Sequence, residues 1–499
     1  MEAAGRSVLA ESARELPLEV GELRGVGLRR SMRLVTIAWL FGAVWANATA
    51  GAPFTLFATH LHATEFDFGL LSAIPFLASL ASMPASLLID RTGKRKAIFL
   101  WGLYVNRLMW VPLALLPYLI VSRYGFTQTA PAMTLFILLY LVMNCGQAVG
   151  GPAWTSWMSD IVPGRVRGAY FSRRRQWAMI TAIPAAFFTG WLLDRPGILG
   201  VPMATLHACM LIFIIAGAIG IVDIHLFHYV PEIRKPPITP RRLLAATRMP
   251  LRNRRFLWFS MFVATLTFAV SFLGQFVTLY LVEQVKVSNS GIQNILLVAP
   301  MLAQLLVLPI WGRCADRMGK KPLLAIASLG LVPVGLGWCL MSSGSVWLGY
   351  VLSAAGAALW TGVEVANLNL VLELASQDGG ADSDADAGSS YVAINSVIIN
   401  IAGCLGGVTS GVIAQTLRNW HWVIPGFKTL GFYDVLFALS AIMRLLAVVI
   451  FLPFLVEPAA RPTREALRFM SSNIYNNLSA AILQPVRWVR LPVSYKTKR

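Results

Sequence analysis

Apolar runs long enough to cross about 30 Å of hydrocarbon recur twelve times along the chain. They lie near 34–58, 68–89, 97–121, 132–158, 177–193, 204–224, 256–283, 291–312, 322–341, 346–374, 391–416 and 432–455. Short polar turns separate them, with one long interruption from His228 to Arg255, HYVPEIRKPPITPRRLLAATRMPLRNRR, that divides the spans six and six. The pattern predicts an all-α integral membrane protein of twelve helices: a tail over 1–33, a six-helix bundle over 34–224, a basic linker over 225–255, a second bundle over 256–456 and a tail over 457–499. In that last tail Leu467, Met470, Ile474, Leu478 and Ile482 recur at helical spacing beside Arg464 and Arg468. This predicts an amphipathic helix lying in the membrane interface or packed on another protein.

The charged punctuation repeats. Asp90-Arg91-Thr92-Gly93-Lys94-Arg95-Lys96 follows the second apolar run, and Asp316-Arg317-Met318-Gly319-Lys320-Lys321 follows the eighth. A looser echo joins GGPAWTSWMSDIVP at 150–163 to EVANLNLVLELAS at 364–376. Two bundles related by a parallel repeat follow from these echoes. Within each knot, glycine suits a turn that needs an unusual backbone angle. The cations hold the turn at one membrane face. The aspartate at the helix end is left to meet an arginine or the positive end of another helix. The stretch SQDGGADSDADAGSS at 376–390 carries four Asp and no Lys or Arg, and reads as a flexible connector.

Composition agrees with the pattern, with 57% hydrophobic and 13% charged residues and a mean hydropathy of +0.64. The net charge of +19 raises the question of nucleic acid, and its distribution answers it. Of 42 Lys and Arg, 35 fall in the tails and loops of one side, five on the other (Arg123, Arg195, Lys286, Arg418, Lys428), and Arg107 and Arg444 lie within spans. That asymmetry places both termini in the cytoplasm of a plasma or inner membrane, and no nucleic-acid partner is expected. The first thirty residues mix acids with arginines and lack an apolar core, so no cleavable signal peptide is expected. Cys145, Cys209, Cys314, Cys339 and Cys404 stand singly, which excludes a CxxC metal motif. No phosphate-binding G-x-x-x-x-G-K-[ST] and no catalytic set is present, so neither an ATP-driven pump nor an enzyme is expected.

The twelve spans, the basic central loop and the two charged knots resemble the major facilitator superfamily of secondary transporters, whose signature is G-x-L-x-D-R-x-G-R/K-K/R. The first copy here has Ser86 for the leading glycine, then Leu88, Asp90, Arg91, Gly93, Lys94 and Arg95; the second keeps Gly312, Asp316, Arg317, Gly319, Lys320 and Lys321 but has Cys314 where leucine is usual. The resemblance implies two six-helix bundles working by alternating access. It also implies a latch in which Asp90 meets the start of the eleventh span and Asp316 the start of the fifth, broken when that side opens. The loop Pro163 to Arg175 looks like the family's connector after the fourth span and reads mostly as a topology signal. Departures bear on coupling and direction. The fourth span has Asn144-Cys145-Gly146-Gln147-Ala148 in place of an arginine-bearing R-x-x-Q-G, and the fifth lacks the glycine-proline pattern of antiporters.

The resemblance further implies that spans one, four, seven and ten line a central cavity. Polar residues at mid-depth are Asn47, Asn144, Gln147, Gln275, Glu364 and Asn367, with Trp45 and Trp360 available to stack on a ring. Glu364 is the sharpest candidate, for coupling or for a cationic group, because an isolated charge at the bilayer centre costs about 2.5–3.5 kcal/mol. Arg107 and Arg444 are placed by the family fold in peripheral spans, where arginine more often bonds helix backbone or a neighbouring acid. The expected function is ion-coupled uptake of a small polar metabolite such as a sugar by a monomer in the bilayer. It would use no cofactor beyond a proton or sodium gradient. The alternatives are efflux of amphipathic cations and a non-transporting sensor or scaffold.

Overall fold

The computed structural model describes residues 26–124, 130–232 and 249–472, apart from 196, 199–200, 203, 379–383, 426–427, 456 and 458–459. Eleven helices are long and apolar enough to cross a membrane: Glu65–Thr92, Arg95–Tyr118, Pro131–Ile161, Val166–Leu193, Thr205–Tyr229, Arg254–Glu283, Asn289–Met318, Lys320–Leu340, Ser343–Ala375, Ser390–Thr416 and Phe432–Phe454. A bent pair, Gly27–Ala48 and Ala52–His60, joined at 44°, makes the twelfth and comes first in the chain. We number these spans one to twelve in chain order. The side that holds the end of span six and the start of span seven is called here the linker side. Two short hairpins, Gly197–Ile198 with Val201–Pro202 and Trp422–Val423 with Thr429–Leu430, lie on the other.

The bend in span one has a specific cause. Gly51 adopts φ 73°, and a Cβ there would sit 2.2 Å from Gln293 Oε1 of span eight. The backbone groups freed by the break are taken up by that side chain: Gln293 Nε2 donates to the Ala50 carbonyl at 3.2 Å, and the Ala52 N–H donates to Oε1 at 3.4 Å. A broken helix at membrane depth is tolerated where protein groups satisfy it in this way.

Three elements depart from the sequence pattern. Span one begins at Val26 rather than near 34. The helix of span five begins at Gly164 rather than near 177, so the arginines of the connector are helical residues and Arg174 enters the bundle. Part of the stretch read as a flexible connector is helical, since the described helices reach Asp378 and start at Asp384. Hydropathy ends a span at its first charges, whereas the backbone continues wherever those charges find partners. The amphipathic helix is seen over Thr463–Ser472, where Ala466 is buried and Phe469 and Met470 pack on the core of the second bundle while Leu467 is exposed. Ile474, Leu478 and Ile482 lie outside the described residues.

The bundles meet mainly on one side. A single apolar core runs through the hairpin-side halves of both, including Phe57, Phe136 and Phe213 of the first and Phe276, Tyr280 and Phe437 of the second. On the linker side the cores are separate, one around Phe99, Trp157 and Phe227 and another around Phe256, Trp311 and Tyr391. Glycines permit the seal. A Cβ on Gly69 of span two would lie 2.3 Å from the Gly411 Cα of span eleven, and one on Gly190 of span five would lie 2.6 Å from the Ser290 Cα of span eight. Polar groups close the rim: Asp194 accepts from the Asn289 and Ser290 N–H groups at 2.7 and 2.9 Å, and Arg418 pairs with Glu65 at 3.0 Å. The linker-side half of span two, Ser82–Thr92, packs instead on span four of its own bundle. The gap between the bundles is therefore closed on the hairpin side and reached from the linker side.

Candidate functional site: a buried charge cluster in the first bundle

Arg107 of span three is 2% exposed and lies against three other spans. Its Nη2 is 3.3 Å from Oδ2 of Asp223 on span six, its guanidinium sits 3.3 Å from the ring centre of Trp45 on span one, and Nη1 donates to Gln147 Oε1 of span four at 3.4 Å. Nη1 also donates to the neighbouring Asn106, whose own Nδ2 donates to the Met143 carbonyl at 2.7 Å. Small residues make the room. A Cβ on Gly220 would lie 2.5 Å from Arg107 Cδ, and one on Gly42 would lie 2.6 Å from Asp223 Oδ2. From span five, the Arg174 guanidinium is 4.6 Å from the ring centre of Trp39 and 5.0 Å from that of Trp154. Such cation–π contacts recover part of the hydration an arginine loses. Arg107, Gln147, Arg174 and Asp223 line one cavity of about 200 Å³, walled by Trp39 and Trp154.

The cluster is imperfectly matched. Two guanidiniums face one carboxylate, and Arg107 Nε, Asp223 Oδ1 and Trp45 Nε1 are buried without a hydrogen-bond partner among the described residues. Unpaired buried polar atoms are costly, so a site that keeps several is suited to change partners.

The sequence-derived candidates divide. Gln147 and Trp45 join the cluster. Asn47 and Asn144 donate to carbonyls of their own helices, Ala43 and Tyr140, each at 2.8 Å. Gln275 takes part in the hairpin-side seal, its backbone N–H donating to Ser72 Oγ of span two at 3.0 Å. Asn367 accepts from Asn395 Nδ2 at 3.1 Å, and Asn395 accepts from Ser260 at 3.0 Å, which ties spans seven, ten and eleven together. Glu364 is exposed and accepts from Trp360 Nε1 at 3.0 Å. On span ten, Gly362 packs on Trp311 of span eight, Leu359 on Gly330 of span nine, and Asn367 on span eleven. Spans eight and eleven both meet the first bundle, so the helical face between them, which carries Glu364 and Leu368, looks into the gap. Arg444 donates to the Leu331 carbonyl at 2.7 Å and ties span twelve to span nine.

Two cluster residues escaped the sequence reading. Asp223 falls at the very end of the sixth apolar run, and Arg174 lies in the stretch read mostly as a topology signal, yet its guanidinium packs on Trp39 and Trp154 inside the bundle. Arg107, expected in a peripheral span to bond backbone or a neighbouring acid, does pair with an acid, Asp223, and also lines the cavity. The available signal was charge parity, since an acid in IGIVDIHLF requires a cation from another span.

In the repeated knots Gly93 and Gly319 adopt φ 67° and 96°, as the turn requires. The cations do more than mark one side. Arg95 is buried and paired with Asp160 of span four, and Lys320 pairs with Glu373 of span ten at 2.6 Å. Acids after each bundle's last span cap the helix that follows the knot: Glu232 accepts from the Lys96 N–H at 2.9 Å, and Glu457 from the Lys320 and Lys321 N–H groups at 2.9 and 2.7 Å. Arg91, Lys94 and Asp316 are exposed, Arg317 lies 5.6 Å from the Phe469 ring centre, and Asp316 has no ion-pair partner among the described residues.

Twelve membrane-length spans in two bundles, sealed together at one face, with a buried charge cluster inside the first bundle, define an integral, multi-pass membrane transporter. The profile described as the Major Facilitator Superfamily matches residues 34–382, and the chain belongs to that family. Solved structures share the fold at low identity. A variant of the nucleoside transporter NupG is 13% identical, with TM-score 0.62 over 85% of this chain and 100% of that one. A bacterial homologue of the iron transporter ferroportin, in an inward-facing state, is 14% identical, with TM-score 0.60 over 87% and 100%. A D-xylose–proton symporter is 14% identical, with TM-score 0.60 over 87% and 98%. No curated protein sequence matches the chain. The protein is thus a transporter and not an enzyme.

Proposed function

We propose that this transporter takes up a small polar solute by alternating access, holds it at the Arg107–Asp223–Arg174 cluster, and couples its movement to a proton carried by Asp223. The observation that carries this reading is the mismatched buried pair: a proton on Asp223 would release Arg107 toward the cavity, so proton and solute would act on one cluster. The excess of Lys and Arg on the linker side supports a cytoplasmic position for it, which makes the described state open inward. The test is uptake by reconstituted proteoliposomes across a panel of labelled solutes, with and without an inward proton gradient. Accumulation should follow the gradient. Asp223→Asn should abolish gradient-driven accumulation while sparing solute exchange, and gradient-independent accumulation in the unmodified protein would refute the coupling.

A second reading, efflux of a cationic compound, is supported by Glu364 and Trp360 at the gap. There Glu364→Gln should abolish cation-driven counterflow; unchanged counterflow would remove Glu364 from the site.

A further inference from the structure

We infer that the cavity between Arg107 and Arg174 binds a small organic monocarboxylate, for which Asp223 is the built-in competitor. This deepens the proposed function by naming its solute class and rests on that reading for transport. Charge is the first ground. With Asp223 ionised the cluster holds two guanidiniums and one carboxylate, and one bound monoanion brings it to neutrality inside a bundle where uncompensated charge is expensive.

Donor geometry is the second. Arg174 is fixed by the faces of Trp39 and Trp154, which leaves the edges of its planar guanidinium for hydrogen bonds. Its Nε reaches the Val35 carbonyl only at 3.5 Å, at the limit of a hydrogen bond. Arg107 Nε has no partner among the described residues, and its contact with Asp223 is long for a charge-assisted bond. A carboxylate is a group that a guanidinium edge receives in paired fashion, as it does a phosphate, and the lining of the cavity separates the two.

Size and lining are the third. About 200 Å³ is less than a drug-sized ligand needs, and Trp39, Phe99, Trp154 and Phe227 offer apolar walls that an inorganic oxyanion could not use. The Gln147 side chain stands at the same cavity and can hydrogen-bond a hydroxyl or a second carboxylate oxygen.

The experiment uses the purified full chain in nanodiscs and equilibrium binding of radiolabelled acetate, lactate and benzoate, with acetamide, lactamide and benzamide as uncharged counterparts and inorganic phosphate as competitor. At least one carboxylate should bind saturably and about tenfold or more tighter than its amide. Arg174→Gln, which leaves the Arg107–Asp223 pair intact, should weaken it at least tenfold. Asp223→Asn should tighten it by about tenfold, because the competitor is gone. Equal binding of acid and amide, displacement by phosphate as effective as by carboxylate, or binding unchanged in Arg174→Gln would overturn the inference. The two readings fail separately. Counterflow of an uncharged solute that none of the carboxylates inhibits leaves transport standing and removes the anion site. Carboxylate binding without counterflow of any solute leaves the site and removes its role in transport.

Discussion

Arg107 and Asp223 sit on helices that hydropathy reads as plain membrane spans, and each makes sense only in the presence of the other. Breaking a buried pair from one side strands a charge, so Arg107→Ala should cost about 3–5 kcal/mol of stability. Replacing both by Leu should recover most of that loss, as measured by thermal unfolding in detergent. If the single variant is as stable as the double, the pair is not holding the bundle together. Of the candidates named from sequence, Gln147 and Trp45 belong to this cluster. Asn47 and Asn144 have the right residue type at the right depth, yet both turn back onto their own helices. Depth follows from counting along a span, whereas the rotamer a side chain takes depends on neighbours hundreds of residues away.

The elements were legible as far as apolar periodicity reaches. Span five was cut short because Arg173, Arg174 and Arg175 follow one another, and a hydropathy window cannot tell a cation in water from one stacked on tryptophan. Gln304 of span eight takes the Nη2 donor of Arg175, so this stretch also meets the second bundle. The seal between spans two and eleven was invisible, because glycine in an apolar run signals nothing until its partner is known. A side chain at Gly69 would drive against the Gly411 backbone, and overpacking of this kind costs about 1–3 kcal/mol. Gly69→Val should therefore shift the population away from the hairpin-side-closed state. A cysteine introduced at Ser72, buried beneath the seal, should then react faster with a membrane-impermeant maleimide added from the hairpin side; equal rates with and without Gly69→Val would show that the glycine contact does not govern closure.

At the scale of the whole molecule the closure rests on three things together: one apolar core shared by both bundles, the glycine contacts, and Asp194 capping span eight from span five. A cap of this kind is worth about 0.5–2 kcal/mol, so Asp194→Ala should raise the same maleimide rate by a smaller factor than Gly69→Val. The proposed orientation makes a separate demand. A green fluorescent protein fused after Arg499 should fluoresce in intact cells, and an alkaline phosphatase fused there should be inactive; the reverse would invert the topology.

The amino-acid sequence by itself determined the twelve spans, the six-and-six division, the repeated knots with their glycine turns, and the family they imply. All of these depend on local hydrophobicity and on residues a few positions apart. The tertiary structure alone decided which charges meet, which face of each span looks into the gap, and which side is closed. Those outcomes depend on pairs such as Arg107 with Asp223 and Gly69 with Gly411, which are distant in the chain and defined only when helices pack.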